Sequence, residues 1–256
     1  MEITKDILDK TYLEVFRKED FLAIDPCGIV YELMEHTDSQ LDIELGALFV
    51  AMITWGNRKA IRTAARHMLQ AEMGWRPGTF VMDGLFEQSY ANAKNRCVYR
   101  TLNSDAFKLV CRNVREALRR HRTMEEALAN LTTEECIAEI CKWLAPARLG
   151  TAGKSACKRI CMFLRWMVRD NSHVDLGLWT DIIDKRSLII PMDTHVVQEA
   201  MRLGLITSRS TSMANAMKLS RKLAECFPDD PARGDFALFG VGVDDTKGHV
   251  TVQLSS

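Results

Sequence analysis

The sequence predicts an all-α protein. Apolar residues recur at three- and four-residue spacing along most of the chain, the period of helices with one buried face. One stretch, LDIELGALFVAMITWGN, is apolar nearly all round, which marks a central helix enclosed by the others. No alternation of strand-like runs with helices suggests βαβ units.

Taken in order, TKDILDKTYLEVFRK and PCGIVYELMEH read as amphipathic helices. The buried central helix follows, with Asp42 expected as its N-cap and Gly56 as its stop. RKAIRTAARHMLQAEM places Arg58, Arg62 and Arg66 four apart on one face. A loop at WRPG precedes the helical stretches SDAFKLVCRNVREALRRH and MEEALANLTTEECIAEICKWLA. APARLGTAGKSA is a turn, and CKRICMFLRWMVRD a second strongly apolar helix. NSHVDLGLWTDIIDKRSLII is a connector. THVVQEAMRLGLI, SMANAMKLSRKLAECF and ARGDFALFGVGV close the helical part, and the tail 244–256 takes no assignment.

At 256 residues the chain can form one large domain or two small ones that share a core. It is 47% hydrophobic and 27% charged, which suits a globular protein, and no apolar run reaches the roughly 18 residues that cross a bilayer. The acidic, helical start does not read as a signal peptide, so the eight cysteines are expected as free thiols in a reducing cytoplasm. None sits in a C-x-x-C, and no spacing suggests zinc or an iron–sulfur cluster. No metal or cofactor is expected.

The formal charge is zero, yet acids crowd the first 50 residues and leave the remainder net basic. From Lys142 to Arg169 the sequence holds Lys142, Arg148, Lys154, Lys158, Arg159, Arg165 and Arg169 and no acid. Such a stretch forms either a phosphate-attracting patch or an ordinary solvated face. Within it, RLGTAGKSA carries Gly153, Lys154 and Ser155 where a phosphate loop would, but the first glycine of that motif falls at Arg148 and no strand precedes it. The reading that remains is a turn whose exposed amides can hold a backbone phosphate.

Two residues carry candidate chemistry. Lys158 lies near a helix start among apolar and cationic neighbours, where an amine deprotonates more easily and becomes nucleophilic; a snorkelling surface lysine is the alternative. Asp193, in PMDTHVVQEAMRLGLI, is placed to cap a helix and also to act on a substrate. His195 follows as a phosphate donor or a solvated side chain.

Together these segments resemble the helix-hairpin-helix superfamily of DNA glycosylases. PMDTHVVQEAMRLGLI looks like that superfamily's catalytic-aspartate segment, with Asp193 as the aspartate. LFVAMITWGNRKAIRTAARHML resembles its early buried helix, where Asn57 would probe the base opposite the lesion. CKRICMFLRWMV resembles the lysine-bearing helix of archaeal 8-oxoguanine glycosylases. Lys158 ranks first as nucleophile, with Lys154 as the alternative. The separation of 35 residues from Lys158 to Asp193 matches the longer connector of that archaeal branch. The hairpin glycines would be Gly150 and Gly153, with two residues between them where the superfamily has one. DFALFGVG resembles the last helix, where Asp235 and Phe239 would face the flipped base. The whole chain also resembles a bacterial family known mainly as a domain of unknown function.

The resemblance implies two helical subdomains flanking a cleft: residues 41–190 with the hairpin and the lysine, and 1–40 plus 191–256 with the aspartate. It implies base-excision repair of an oxidised purine such as 8-oxoguanine, with possible lyase action, by a monomer on double-stranded DNA in the cytoplasm at the nucleoid, without a membrane. Lys158 would attack the sugar, Asp193 would stabilise the charge on it, and Arg148, Gly150, Gly153, Lys154, Arg165 and His195 would hold the DNA. The alternatives are a non-catalytic nucleic-acid-binding protein on the same fold and a helical protein-interaction scaffold.

Overall fold

The computed structural model describes residues 18–170, 172 and 174–238, with side chains from Phe21 onward. Most of the first predicted helix, Phe239 and the tail lie outside the described residues. The fold is all-α. Among the described residues the strands are confined to a small antiparallel hairpin, β1 (Cys97–Tyr99) and β2 (Leu102–Asn103). No helix among them is long and apolar enough to cross a membrane.

The organising element is α3 (Gln40–Met52), preceded by α1 (Lys18–Ile24) and α2 (Cys27–Met34). Every residue of α3 from Asp42 to Met52 is buried. Helix α2, α5 (Pro77–Met82), α8 (Met124–Leu128) and α10 (Lys158–Val168) all pack on it. That enclosure is why its sequence lacks a polar face. Its two acids are satisfied internally. Asp42 accepts from the Gly78 amide at 2.7 Å and the Thr37 hydroxyl at 2.9 Å. Glu44 accepts from the Met124 amide at 2.6 Å and Trp179 Nε1 at 2.8 Å. Asp42 is therefore not the N-cap: Ser39 caps α3, and the helix ends at Met52, before Gly56. A buried acid in the first turn was better used to tie α5 to α3 than to bond its own helix.

Helix α4 (Arg58–Arg66) runs on through a π-helical turn, His67–Glu72. Its arginines work locally: Arg62 donates to the Leu22 carbonyl at 2.9 Å, and Arg66 Nε to Glu32 at 2.8 Å. The WRPG loop leads into α5 and α6 (Leu85–Ser89), then the hairpin and α7 (Ser104–Ala117). The stretch MEEALANLTTEECIAEICKWLA divides into α8 and α9 (Thr133–Trp143), because Thr132 and Glu135 form a capping box that starts a new helix. Helix α10, α11 (Thr194–Arg202), α12 (Met213–Cys226) and a helical segment 233–238 complete the chain. One continuous apolar core runs from Phe21 to Leu238.

Beneath α10 lies a buried ion network. Arg165 Nε donates to Asp175 at 3.1 Å and Nη1 to Asp235 at 2.6 Å. Arg169 Nη1 donates to Asp175 at 3.0 Å and Nε to Asp230 at 2.8 Å. Asp175 thus joins both arginines, and its side chain is fully buried. Removing one partner from such a network leaves an uncompensated charge in low dielectric. Asp175→Ala should therefore destabilise the fold by about 3–5 kcal/mol in urea unfolding. Glu225→Ala, which breaks the exposed Lys222–Glu225 pair, should leave the midpoint unchanged.

Candidate active site

Helix α9 ends at Trp143, and a 3₁₀ turn, Ala145–Ala147, follows. The chain then reverses through residues 148–157 into α10. The reversal is closed locally: the Thr151 carbonyl accepts from the amides of Lys154 and Ser155 at 3.1 and 3.0 Å, and Ser155 Oγ accepts from the Thr151 amide at 3.0 Å. Both glycines have positive φ, +135° at Gly150 and +72° at Gly153. The turn is also held from outside. The Ala156 amide donates to Thr211 at 2.9 Å and the Met213 amide to Lys154 at 3.1 Å, so the turn is fixed to the start of α12. Arg159 adds a tie to α3, donating to the carbonyl of Met52 at 2.8 Å.

The second half of the site is the start of α11. The Ile190 amide donates to Ser220 Oγ on α12 at 3.0 Å, which anchors the segment leading to Asp193. Asp193 Oδ1 accepts from the amides of His195 and Val196, both at 3.0 Å, and caps α11. Its other oxygen, Oδ2, meets Lys158 Nζ at 3.2 Å. Cap and ion pair thus use different oxygens of one carboxylate. Burial acts to raise the Asp193 carboxyl, but the Lys158 charge and the two amides outweigh it and hold the group below its ordinary range. It is ionised at neutral pH.

Lys158 and Asp193 both line a cleft of about 610 Å³, within the size range of small-ligand sites. Its lining comes from residues 54–61 and 149–165 and from 21–26, 191–196, 211 and 235–236. It is a mixture of apolar groups, including Ile61, Met162 and Phe236, with three carboxylates: Asp25, Asp193 and Asp235. Among the described residues no cluster of His, Cys, Asp and Glu is placed to hold a metal.

A family model described as a protein of unknown function (DUF2400) matches residues 25–244. The chain belongs to that family. No curated protein and no solved structure matches it. The DUF2400 span contains every residue that lines the cleft except Phe21.

The DUF2400 structure sorts the candidates from the sequence. Lys158 and Asp193 come together. Arg148, Gly150, Gly153 and Lys154 lie exposed in the turn, and Lys154 is not in the cleft lining. Asn57 is exposed and caps α4 through a 3.2 Å bond from the Ala60 amide. His195 is half-buried beside Asp193. Asp235 reaches the cleft but is committed to Arg165, and burial pushes its carboxyl up against the pull of that arginine. Phe239 lies outside the described residues. Phe236, three residues earlier, is in the lining, with the Arg165 guanidinium 4.3 Å from its ring centre.

One expectation is corrected. Arg165 is buried and paired with Asp175 and Asp235, so it is not free to contact DNA. The same holds more widely for the basic stretch 142–169. Arg169 is buried in the network, Arg159 serves a carbonyl, and Lys142 pairs with Glu139 at 2.6 Å. Within this stretch, the cations with neither an ion pair nor a side-chain hydrogen bond to the described residues are Arg148 and Lys154, both in the turn.

Two cleft residues escaped the sequence reading. Asp25, between α1 and α2, accepts from the Cys27 amide at 2.9 Å. Burial pushes its carboxyl up, against that amide and the charges of Arg165 and Arg58. The Asp-Pro dipeptide at a helix start was the available signal, and it is common in plain turns. Cys157 lies 3.6 Å from Cys141 and 3.4 Å from Ser155 Oγ, and hydrogen bonding, first from Cys141, holds its thiol below the ordinary range despite burial.

The turn gives a sharp comparison. A Cβ on Gly150 would lie 2.3 Å from Ser155 Oγ, whereas one on Gly153 would meet nothing within 4 Å. Gly153→Ala should therefore cost only about 1 kcal/mol for its left-handed backbone. Gly150→Ala should cost more in the same urea titration, because it also displaces the serine that closes the turn.

Proposed function

We propose that this protein is a DNA glycosylase acting on an oxidised purine such as 8-oxoguanine, with an associated lyase step. The observation that carries the reading is the pair itself. An amine and a carboxylate from the first turns of two helices, 35 residues apart in sequence, meet at 3.2 Å in a cleft. Their side chains are 36% and 38% exposed. Such a pair contributes only about 0–1 kcal/mol to stability, so holding the fold together is a poor explanation for it.

The arrangement suits displacement at a sugar carbon. The base must first leave the stack to bring C1′ into the cleft. Asp193 accepts a proton from the Lys158 ammonium, and the freed amine attacks C1′. The glycosidic bond breaks, and its electron pair leaves with the base. The proton held by Asp193 passes to the departing base, and the restored carboxylate then stands against the positive charge that develops on the sugar. Opening of the sugar ring gives the Schiff base between Lys158 and C1′, from which β-elimination cleaves the strand. The turn carrying Arg148, Gly150, Gly153 and Lys154 presents amides and two unpaired cations to the backbone phosphates.

Borohydride trapping on a panel of lesion-bearing duplexes tests this directly. The wild type should form a covalent adduct, and Lys158→Gln should abolish it. Loss on Lys154→Gln instead would transfer the nucleophile to the turn. A wild type that binds duplex with strong salt dependence but never traps would be a binding module.

Asp193→Asn should separate the two duties of that side chain. Asparagine caps helices as well as aspartate does, so the thermal midpoint should hardly move. Turnover should fall at least about a hundredfold, the scale of losing one preorganised electrostatic group. A large loss of stability with normal turnover would reduce Asp193 to a cap.

A further inference from the structure

The cleft holds three carboxylates, and two of them have cationic partners at bonding distance: Asp193 has Lys158, and Asp235 has Arg165. Asp25 differs. Its Oδ1 accepts the Cys27 amide at 2.9 Å, and its Oδ2 makes no hydrogen bond or ion pair with the described residues. The oxygen of a half-buried residue in a cleft wall, without a partner among the described residues, is a group prepared to be satisfied by what enters.

The surroundings indicate what that is. Phe21, Ile61, Met162 and Phe236 line the same cleft, an apolar and aromatic lining that suits a flat ring. Asp235, the other acid of the lining outside the reacting pair, is held by Arg165 and has no comparable freedom. The reacting pair occupies Lys158 and Asp193. Asp25 is therefore the acid left over to contact the ring rather than the sugar.

We propose that Asp25 reads the extruded base, with its Oδ2 donating a hydrogen bond to a carbonyl oxygen or an unprotonated nitrogen on the ring. The assignment rests on the glycosylase reading above. Apolar neighbours and the absence of a cation at bonding distance disfavour a bare charge here, burial pushes the carboxyl up in the same direction, and the protonated form is the one that can donate. With Oδ1 already engaged by the Cys27 amide, a protonated Asp25 gives a one-way contact: it accepts from the protein and donates to the ligand. Bases that present only donor groups at that edge are refused.

Equilibrium binding by fluorescence anisotropy can test this. The probes are matched duplexes carrying either a tetrahydrofuran abasic analogue, which has a sugar and no base, or 8-oxoguanine, hypoxanthine or uracil on a non-cleavable 2′-fluoro sugar. Asp25→Ala should weaken binding of the best base-bearing duplex by about tenfold, the scale of one lost hydrogen bond, and leave the abasic duplex unchanged. Asp25→Asn keeps an acceptor for the Cys27 amide and a donor toward the ring, so it should stay within about twofold of wild type.

Equal weakening of both duplexes by Asp25→Ala would make the residue structural and overturn the proposal. Loss on Asp25→Asn as large as on Asp25→Ala would show an acceptor rather than a donor and overturn it too. Wild-type affinity in both variants for every duplex would remove Asp25 from recognition while leaving the glycosylase reading standing. A wild type that prefers none of these duplexes to undamaged DNA would bring down that reading, and Asp25's role with it.

Discussion

The buried contacts of Arg165 and Arg169 with Asp175, Asp230 and Asp235 are the constraint on which the rest of the site depends. Helix α10 carries Lys158 on its first residue and Arg165 two turns later on the same face. The far end of the helix is pinned to the connector through Asp175 and to the last segment through Asp230 and Asp235. Charges this deep tolerate little misplacement, because a shifted arginine leaves a bare aspartate in low dielectric. The direction of α10, and with it the approach of Lys158 to Asp193, is thus set by groups that lie outside the proposed reacting pair.

The near end is set differently. The turn before α10 and the segment before Asp193 are far apart in sequence, yet both are bonded to α12 and the residues just before it. Helix α12 is thus a common reference for the two halves of the site. Rigid elements positioned by backbone bonds place side chains more precisely than loops do, and the proposed reaction needs that precision. The amides of α11 add a second function. They orient Asp193 by holding Oδ1 and also help to keep it ionised, so the carboxylate reaches Lys158 already charged.

Much of the fold was legible because helix period and burial speak through the same residues. The largely apolar stretch at 42–52 became the enclosed α3, and LRWMV became the buried side of α10. What failed was reading charged residues one at a time. Asp42 looked like a cap and serves instead as a buried acceptor between helices. The run of cations from 142 to 169 looked like a surface, yet its arginines mostly turn inward to partners that lie far along the chain. No local pattern distinguishes an arginine that meets water from one that meets a distant aspartate. The short strands at 97–103 were missed for a related reason: a hairpin of so few residues has no room for a period.

The candidate site divides along the same line. Asp193 was visible because a cap, a helix and the proposed catalytic role make compatible demands on one position, so its segment carries a recognisable pattern. Lys158 was visible because it opens an apolar helix. Asp25 had no such pattern, since what distinguishes it is three-dimensional: two neighbouring acids of the cleft have cations at bonding distance, and it has none among the described residues. The unequal treatment of three chemically identical side chains is itself informative. One carboxylate is held charged beside an amine, one is locked to a buried arginine, and one keeps an oxygen without a partner among the described residues. Burial, partner and position separate their roles, and that division of labour is what the proposed reading asks of the cleft: a place for a polar ring with chemistry beside it.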